Sequence, residues 1–213
     1  MKTIHKALAV LVSILILLTI VSCKTGTIVY GEPSRSDVAM IFYPGGNVDP
    51  YAYEDLCNGL AQNGIPVVVV QMPMKLAIFG INRANGIIRD YPEVDHWYIS
   101  GHSLGGAMAA IWTAKHQDDV DGVIFLAAYS TKDLDVPVLS IYGSNDGVLN
   151  MKSYNKNLNR LSDVDEYIIE GGNHCQFGSY GFQKDDNEAT ISHEEQIYKT
   201  VESIVSFIKG AER

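Results

Sequence analysis

The chain has 213 residues, of which 46% are hydrophobic and 19% charged, the balance of an ordinary globular domain and not of a disordered or fibrous one. A formal net charge of −9 at pH 7 repels phosphate polymers, so nucleic acid is not an expected partner. Cys57 and Cys175 stand far apart without C-x-x-C spacing, which predicts buried thiols and neither a redox pair nor a zinc site.

In chain order, Lys2, His5 and Lys6 precede an apolar run from Ala7 to Val21 that only Ser13 and Thr19 interrupt. This run is shorter than the ~20 residues of a membrane span and has the asymmetric flanks of an export signal. It ends in Ile20-Val21-Ser22-Cys23, which resembles the bacterial lipoprotein signal, where cleavage before the cysteine accompanies acylation of that residue. The resemblance implies a signal peptide over 1–22, lipidation of Cys23, a membrane partner through that lipid, and a place in the cell envelope; plain secretion and a retained anchor are the alternatives. Residues 24–37 are polar apart from Ile28-Val29-Tyr30, so 23–37 read as a tether with one short edge strand, and 38–213 as a single domain.

Within that domain, strand-like and helix-like stretches alternate. Strands are predicted at Val38 to Tyr43, Pro66 to Gln71, His96 to Ser100, Gly122 to Ala127, Pro137 to Tyr142 and Asp165 to Ile169. Runs such as Val67-Val68-Val69-Val70 are apolar on both faces, as a parallel sheet covered by helices requires. Helices are predicted at Pro50 to Asn63, Lys75 to Asp90, Leu104 to His116, Met151 to Leu161 and Ser192 to Lys209, the last with Ser192 and Glu195 as a capping box. About six strands with helical crossovers predict an α/β fold with a doubly wound, mostly parallel sheet.

The strongest local signal is Gly101-His102-Ser103-Leu104-Gly105-Gly106, entered from a strand and leaving into a helix rich in small residues. A serine on so sharp a turn needs small neighbours two positions either side, because strand and helix pass close together there. The turn offers the Ser103 hydroxyl as a nucleophile and the Leu104 amide as a donor to a developing oxyanion. A hydroxyl needs a base, and the base needs a third group to fix its tautomer. Asp146 follows the strand Pro137 to Tyr142, and His174 follows the strand Asp165 to Ile169; both fall at carboxyl ends of strands, where open α/β sheets build their sites. Asp133 and Asp135 precede a strand, His102 is inside the turn, His116 ends a helix and His96 starts a strand, so each is less suited. A second oxyanion donor is expected from Tyr43-Pro44-Gly45-Gly46-Asn47, with the Gly46 amide preferred and Asn47 as substitute.

Taken together, these stretches resemble the α/β-hydrolase superfamily, and within it the compact branch of dienelactone hydrolases and small bacterial esterases, over about residues 38 to 209. The resemblance implies a catalytic triad of Ser103, Asp146 and His174 acting on a carboxylic ester through an acyl-enzyme. It departs from the family where Pro44-Gly45 replace a common His-Gly, and where a serine replaces the cysteine of dienelactone hydrolases proper. Residues 128–136 are too few for a cap domain, so an open site is expected, taking a small or short-chain ester in a pocket lined by Tyr43, Met72, Met74, Tyr129, Val148, Phe177, Tyr180 and Phe182. Met72, Met74 and Phe79 suit a core equally well. Amide, thioester or envelope acetyl-ester cleavage, and a silent envelope binding protein on the same scaffold, are the competing functions. No cofactor or metal is expected, since neither a dinucleotide fingerprint nor a phosphate loop is present, and the sequence sets no oligomeric state.

Overall fold

The computed structural model describes residues 26–211; the apolar run and Cys23 lie outside them. Seven strands, β1 (Thr27–Tyr30), β2 (Val38–Tyr43), β3 (Val67–Val70), β4 (His96–His102), β5 (Gly122–Leu126), β6 (Val138–Gly143) and β7 (Val164–Ile169), form one sheet in the order β1-β3-β2-β4-β5-β6-β7. All neighbours pair in parallel except β1, which runs antiparallel to β3 with Thr27 opposite Val70. The strand beyond the expected six is this β1, inside the stretch read as tether.

Among the described residues, five α-helices flank the sheet: α1 (Glu54–Gln62), α2 (Arg83–Asp90), α3 (Leu104–Thr113), α4 (Met151–Asn157) and α5 (His193–Ala211). Alternate strand residues feed two cores. Met40, Phe42, Val67 and Val69 pack with Leu56, Leu60, Val201 and Ile204 of α1 and α5, while Ala39, Ile41, Val68 and Val70 pack with Ile87, Met108 and Trp112 of α2 and α3. Each valine of β3 is buried, a contribution of ~1.5–3 kcal/mol apiece. Cys57 and Cys175 are buried free thiols. Among the described residues no helix is long and apolar enough to cross a membrane.

The helix expected from Lys75 to Asp90 forms only from Arg83. Before it, Pro73–Lys75 and Ala77–Phe79 are short 3-10 turns, with Met74 and Lys75 in the left-handed region at φ 54° and 55°. Pro73 cannot donate an amide and Gly80 closes the second turn, so the apolar residues between them never gain a continuous hydrogen-bond ladder. Pro50–Tyr53, expected as helix, is likewise a 3-10 turn ahead of α1. The capping box at α5 is half made: Ser192 Oγ accepts the Glu195 amide at 3.1 Å, but the Glu195 carboxylate takes Lys199 at 2.7 Å.

Strand order reverses between β2 and β4, so their carboxyl ends diverge into a crevice. The loops after β2, β4, β5, β6 and β7 therefore share one edge of the sheet, and that edge carries every residue singled out for chemistry.

Candidate active site

Ser103 joins β4 to α3 with φ 52° and ψ −119°, a conformation that costs an L-residue ~1–3 kcal/mol. Its amide donates to the Leu126 carbonyl at 2.9 Å, which prolongs the β4–β5 ladder by one residue before the chain turns into α3. The turn closes only because its glycines lack side chains. A Cβ on Gly101 would lie 2.5 Å from the Gly105 carbonyl carbon, and one on Gly105 would overlap the carbonyl oxygen of Tyr43. Gly105→Ala is expected to cost ~3 kcal/mol or to prevent folding, because backbone from β2 would have to move; urea unfolding measures it.

Across the crevice, His174 and Asp146 meet with Nδ1 to Oδ2 at 2.9 Å, both side chains 1% exposed. The other oxygen of Asp146 accepts the amides of Val148 and Leu149 at 2.8 and 2.7 Å. An ionised carboxylate only accepts, so Nδ1 carries the proton and Nε2 presents its lone pair. That Nε2 is buried and has no hydrogen-bond partner. It belongs to a residue that, with Ser103, Leu104, Ala127, Tyr129 and Val148, lines one cavity of about 310 Å³. No hydrogen bond joins Ser103 to His174; contacts between a nucleophile and its base commonly tighten when substrate binds.

On the loop after β2, Gly46 faces Leu104, whose Cδ2 lies 3.1 Å from where a Gly46 Cβ would be. The Asn47 amide, the substitute oxyanion donor, is committed to the Lys75 carbonyl at 2.9 Å, so it does not point at the cavity.

Four residues that sequence reasoning did not assign hold these loops in register. Gly45 donates its amide to Tyr53 Oη at 2.9 Å, Tyr53 Oη meets His102 Nδ1 at 2.9 Å, and His102 Nε2 meets the His174 carbonyl at 3.1 Å. A carbonyl only accepts, so His102 is protonated on Nε2 and the tyrosine donates to Nδ1. One buried chain thus runs from the loop after β2 to the backbone of His174. Asp186 accepts from Gly147 at 3.0 Å, His174 at 3.3 Å and Cys175 at 2.9 Å; burial works to raise its pKa, but these amide donors hold it below the ordinary carboxylate value. Gln196 of α5 pairs with both backbone groups of Asn173, at 3.0 and 2.8 Å.

His102 is 1% exposed, and desolvation, with His174 beside it, holds its pKa well below the ordinary imidazole value. Below about pH 7 the unfolded chain therefore binds a proton that the folded chain refuses, and stability falls as pH drops, by up to about 1.4 kcal/mol per pH unit. His102→Gln should flatten that part of the slope between pH 7 and 5. Urea midpoints measured across the range check it, and parallel curves for the two proteins would contradict it.

Of the expected pocket residues, Tyr129 and Val148 line the cavity. The others do not. Tyr43 is fully buried, its hydroxyl donating to the Ile81 carbonyl at 2.6 Å and accepting the Ala84 amide. Met72 and Phe177 are core residues and Tyr180 packs against the core. Met74 and Phe182 are 74% and 63% exposed. Side-chain type alone does not reveal which face a residue takes.

A second serine, histidine and aspartate also meet. Ser179 Oγ and Asp55 Oδ2 lie 3.1 and 3.2 Å from His193 Nε2, while His193 Nδ1 faces the Gln176 carbonyl at 3.1 Å. A relay needs hydroxyl and carboxylate on opposite ring nitrogens, so that one gives and the other steadies the proton. Here both crowd the same nitrogen, and Asp55 is 63% exposed. The cluster ties α1 to the start of α5 and lacks the geometry of a general base.

Similarity to known proteins bears on the fold. The described fold resembles that of Est1E from Butyrivibrio proteoclasticus, solved with ferulic acid, with a TM-score of 0.64 and 12% identity over 87% of this chain and 94% of that one. A monoacylglycerol lipase from Paleococcus ferrophilus aligns with a TM-score of 0.66 and 16% identity over 86% and 99%. A CIB-like hydrolase from Thermoplasma acidophilum gives 0.58 and 22% over 85% and 94%. No curated protein matches the sequence. Residues 39–198 match the model of the alpha/beta hydrolase family, and the chain, with its sheet order and strained serine turn, belongs to that family.

Proposed function

We propose that this chain is a serine hydrolase that cleaves a carboxylic ester through an acyl-enzyme. The observation that carries the reading is the imidazole of His174, locked on one side to a buried Asp146, left without a partner on Nε2, and lining the same cavity as the strained Ser103. Ser103 attacks the carbonyl carbon while His174 takes the hydroxyl proton, and Asp146 stabilises the imidazolium. The amides of Gly46 and Leu104 receive the oxyanion; losing one such donor costs about 3 kcal/mol. His174 then protonates the leaving alcohol, and afterwards activates the water that releases the acid.

Strands β5 and β6 follow one another without an intervening helix, so among the described residues no cap is inserted between them, and a cavity of about 310 Å³ suits a small or short acyl group. Chromogenic esters of increasing acyl length test this: rates should fall steeply beyond short chains, and equal rates on acetate and long-chain esters would reject the short-chain preference. The N-terminal segment adds a further part of the proposal. Residues 1–22 act as a signal peptide, Cys23 carries lipid, and the catalytic domain is held at the cell envelope.

A further inference from the structure

We infer that the active-site edge of this protein rests on a lipid bilayer, through an apolar rim formed by Met74, Ile78 and Phe79. The inference rests on the reading of Cys23 as a membrane anchor and adds to it the orientation of the domain and the partner of its catalytic edge.

Three observations converge. First, Met74, Ile78 and Phe79 are 74%, 54% and 58% exposed, on consecutive 3-10 turns that leave the carboxyl end of β3. Exposed so close together in the chain, they are more than the singly scattered apolar residues that need no explanation. Met74 and Lys75 both occupy the left-handed region, and the buried members of the same crossover, Met72 and Ala77, fix the turns to the core. Second, this crossover borders the site. Leu76 lies 3.8 Å from where a Gly46 Cβ would be, and the Lys75 carbonyl holds the Asn47 amide, so whatever seats on the rim lies beside the oxyanion loop.

The third observation is where the anchor enters. Because β1 runs antiparallel to β3, its first residue is at the carboxyl end of β3, and the Gly26 carbonyl accepts the Gln71 amide at 3.1 Å. Cys23 stands four residues before Thr27, a reach of at most ~14 Å even when fully extended. A parallel β1 would have put the anchor on the opposite edge, facing the site away from the membrane. As built, the lipid, the rim and the crevice share one side. The occupant is a lipid surface of low charge, since the acidic chain is repelled by anionic headgroups. Esters reached in this pose are those whose carbonyl lies at the bilayer interface, with a small acyl group entering the crevice and the rest of the molecule remaining in the lipid.

The test uses the full chain mixed with phosphatidylcholine vesicles whose acyl chains are brominated, which quench indole fluorescence on contact. Native Trp97 and Trp112 are buried in the core, so an added tryptophan reports its own surroundings. Phe79→Trp should lose about half its added emission or more and shift to the blue. Glu93→Trp, exposed in the loop before β4 at the far edge, should be unchanged. Equal quenching at both positions, or at Glu93→Trp alone, overturns the inference. So does a lipid-free dimer that Ile78→Ser/Phe79→Ser dissolves, because the rim would then belong to a second copy. The same double variant should hydrolyse a vesicle-borne ester at least ~10-fold more slowly while a soluble acetate ester is turned over as before. Failure of the anchor reading looks different: Cys23→Ala would leave the chain's membrane partition unchanged, whereas the quenching pattern still decides the rim. Failure of the hydrolase reading would be inactivity on the soluble ester.

Discussion

Ser103→Ala should lower turnover of a soluble chromogenic ester by about 10⁴-fold or more, with the fold intact. The expectation follows from the cavity, which Ser103 on its strained turn shares with His174, whose Nε2 has no hydrogen-bond partner; without that hydroxyl, only weak attack by water held against the oxyanion donors remains. Ser103→Gly sharpens the result, since it removes the nucleophile and relieves the φ of 52°. Glycine adopts that region without steric cost, so the inactive variant should be more stable than the parent by ~1 kcal/mol. Urea unfolding beside the ester assay reads both effects. A stable and fully active glycine variant would remove Ser103 from the chemistry.

The second large effect is expected at Asp146. Asp146→Asn keeps the size of the side chain but places an amide opposite His174 Nδ1, now 2.9 Å from a carboxylate oxygen. The amide can donate to Nδ1, so the ring turns over its proton and Nε2 no longer presents a lone pair to the serine. A loss of ~10⁴-fold in kcat with little change in KM is the expected outcome. Asp55→Asn and Ser179→Ala are the matched controls, because their histidine already lies with both partners on one nitrogen. They should retain activity within about twofold, as surface changes away from the crevice do. Comparable losses from the two sets of variants would contradict the assignment.

Much of the sheet was legible in the sequence because a parallel strand buried on both faces writes itself as a continuous apolar run, as in Val67 to Val70. The serine turn was legible for a different reason. Close approach of β4 and α3 excludes side chains at Gly101 and Gly105, so the geometry leaves a fixed spacing in the chain. Asp146 and His174 could be found only from their order and their places after strands, and the structure brings the pair together. The helix expected from Lys75 was misread because the apolar spacing of Leu76, Ala77, Ile78 and Phe79 suits a helix, while Pro73 and Gly80 confine the chain to two short turns. Ala77 alone joins the core, while Ile78 and Phe79 point outward instead of forming a core or an acyl pocket. Tyr53, His102, Asp186 and Gln196 left no pattern at all. Apart from the Tyr53–His102 pair, their partners are backbone groups brought close only by tertiary folding, as when Asp186 gathers the amides of Gly147, His174 and Cys175, and no local spacing encodes such a meeting.

The buried chain through Tyr53 and His102 gives the site one further property. It joins the loop carrying Gly46 to the backbone of His174 without a charged group, since burial keeps His102 neutral. The proposed oxyanion donor and base are thus held in register by buried hydrogen bonds, which is the preorganisation that electrostatic stabilisation of a transition state requires.

The most direct measurement is to treat the purified full chain with a fluorophosphonate and locate the adduct by peptide mass spectrometry. The account predicts a single phosphonylated residue, Ser103, formed slowly or not at all in His174→Ala. An adduct on Ser179, or an unmodified Ser103 in folded protein that still hydrolyses esters, would contradict it.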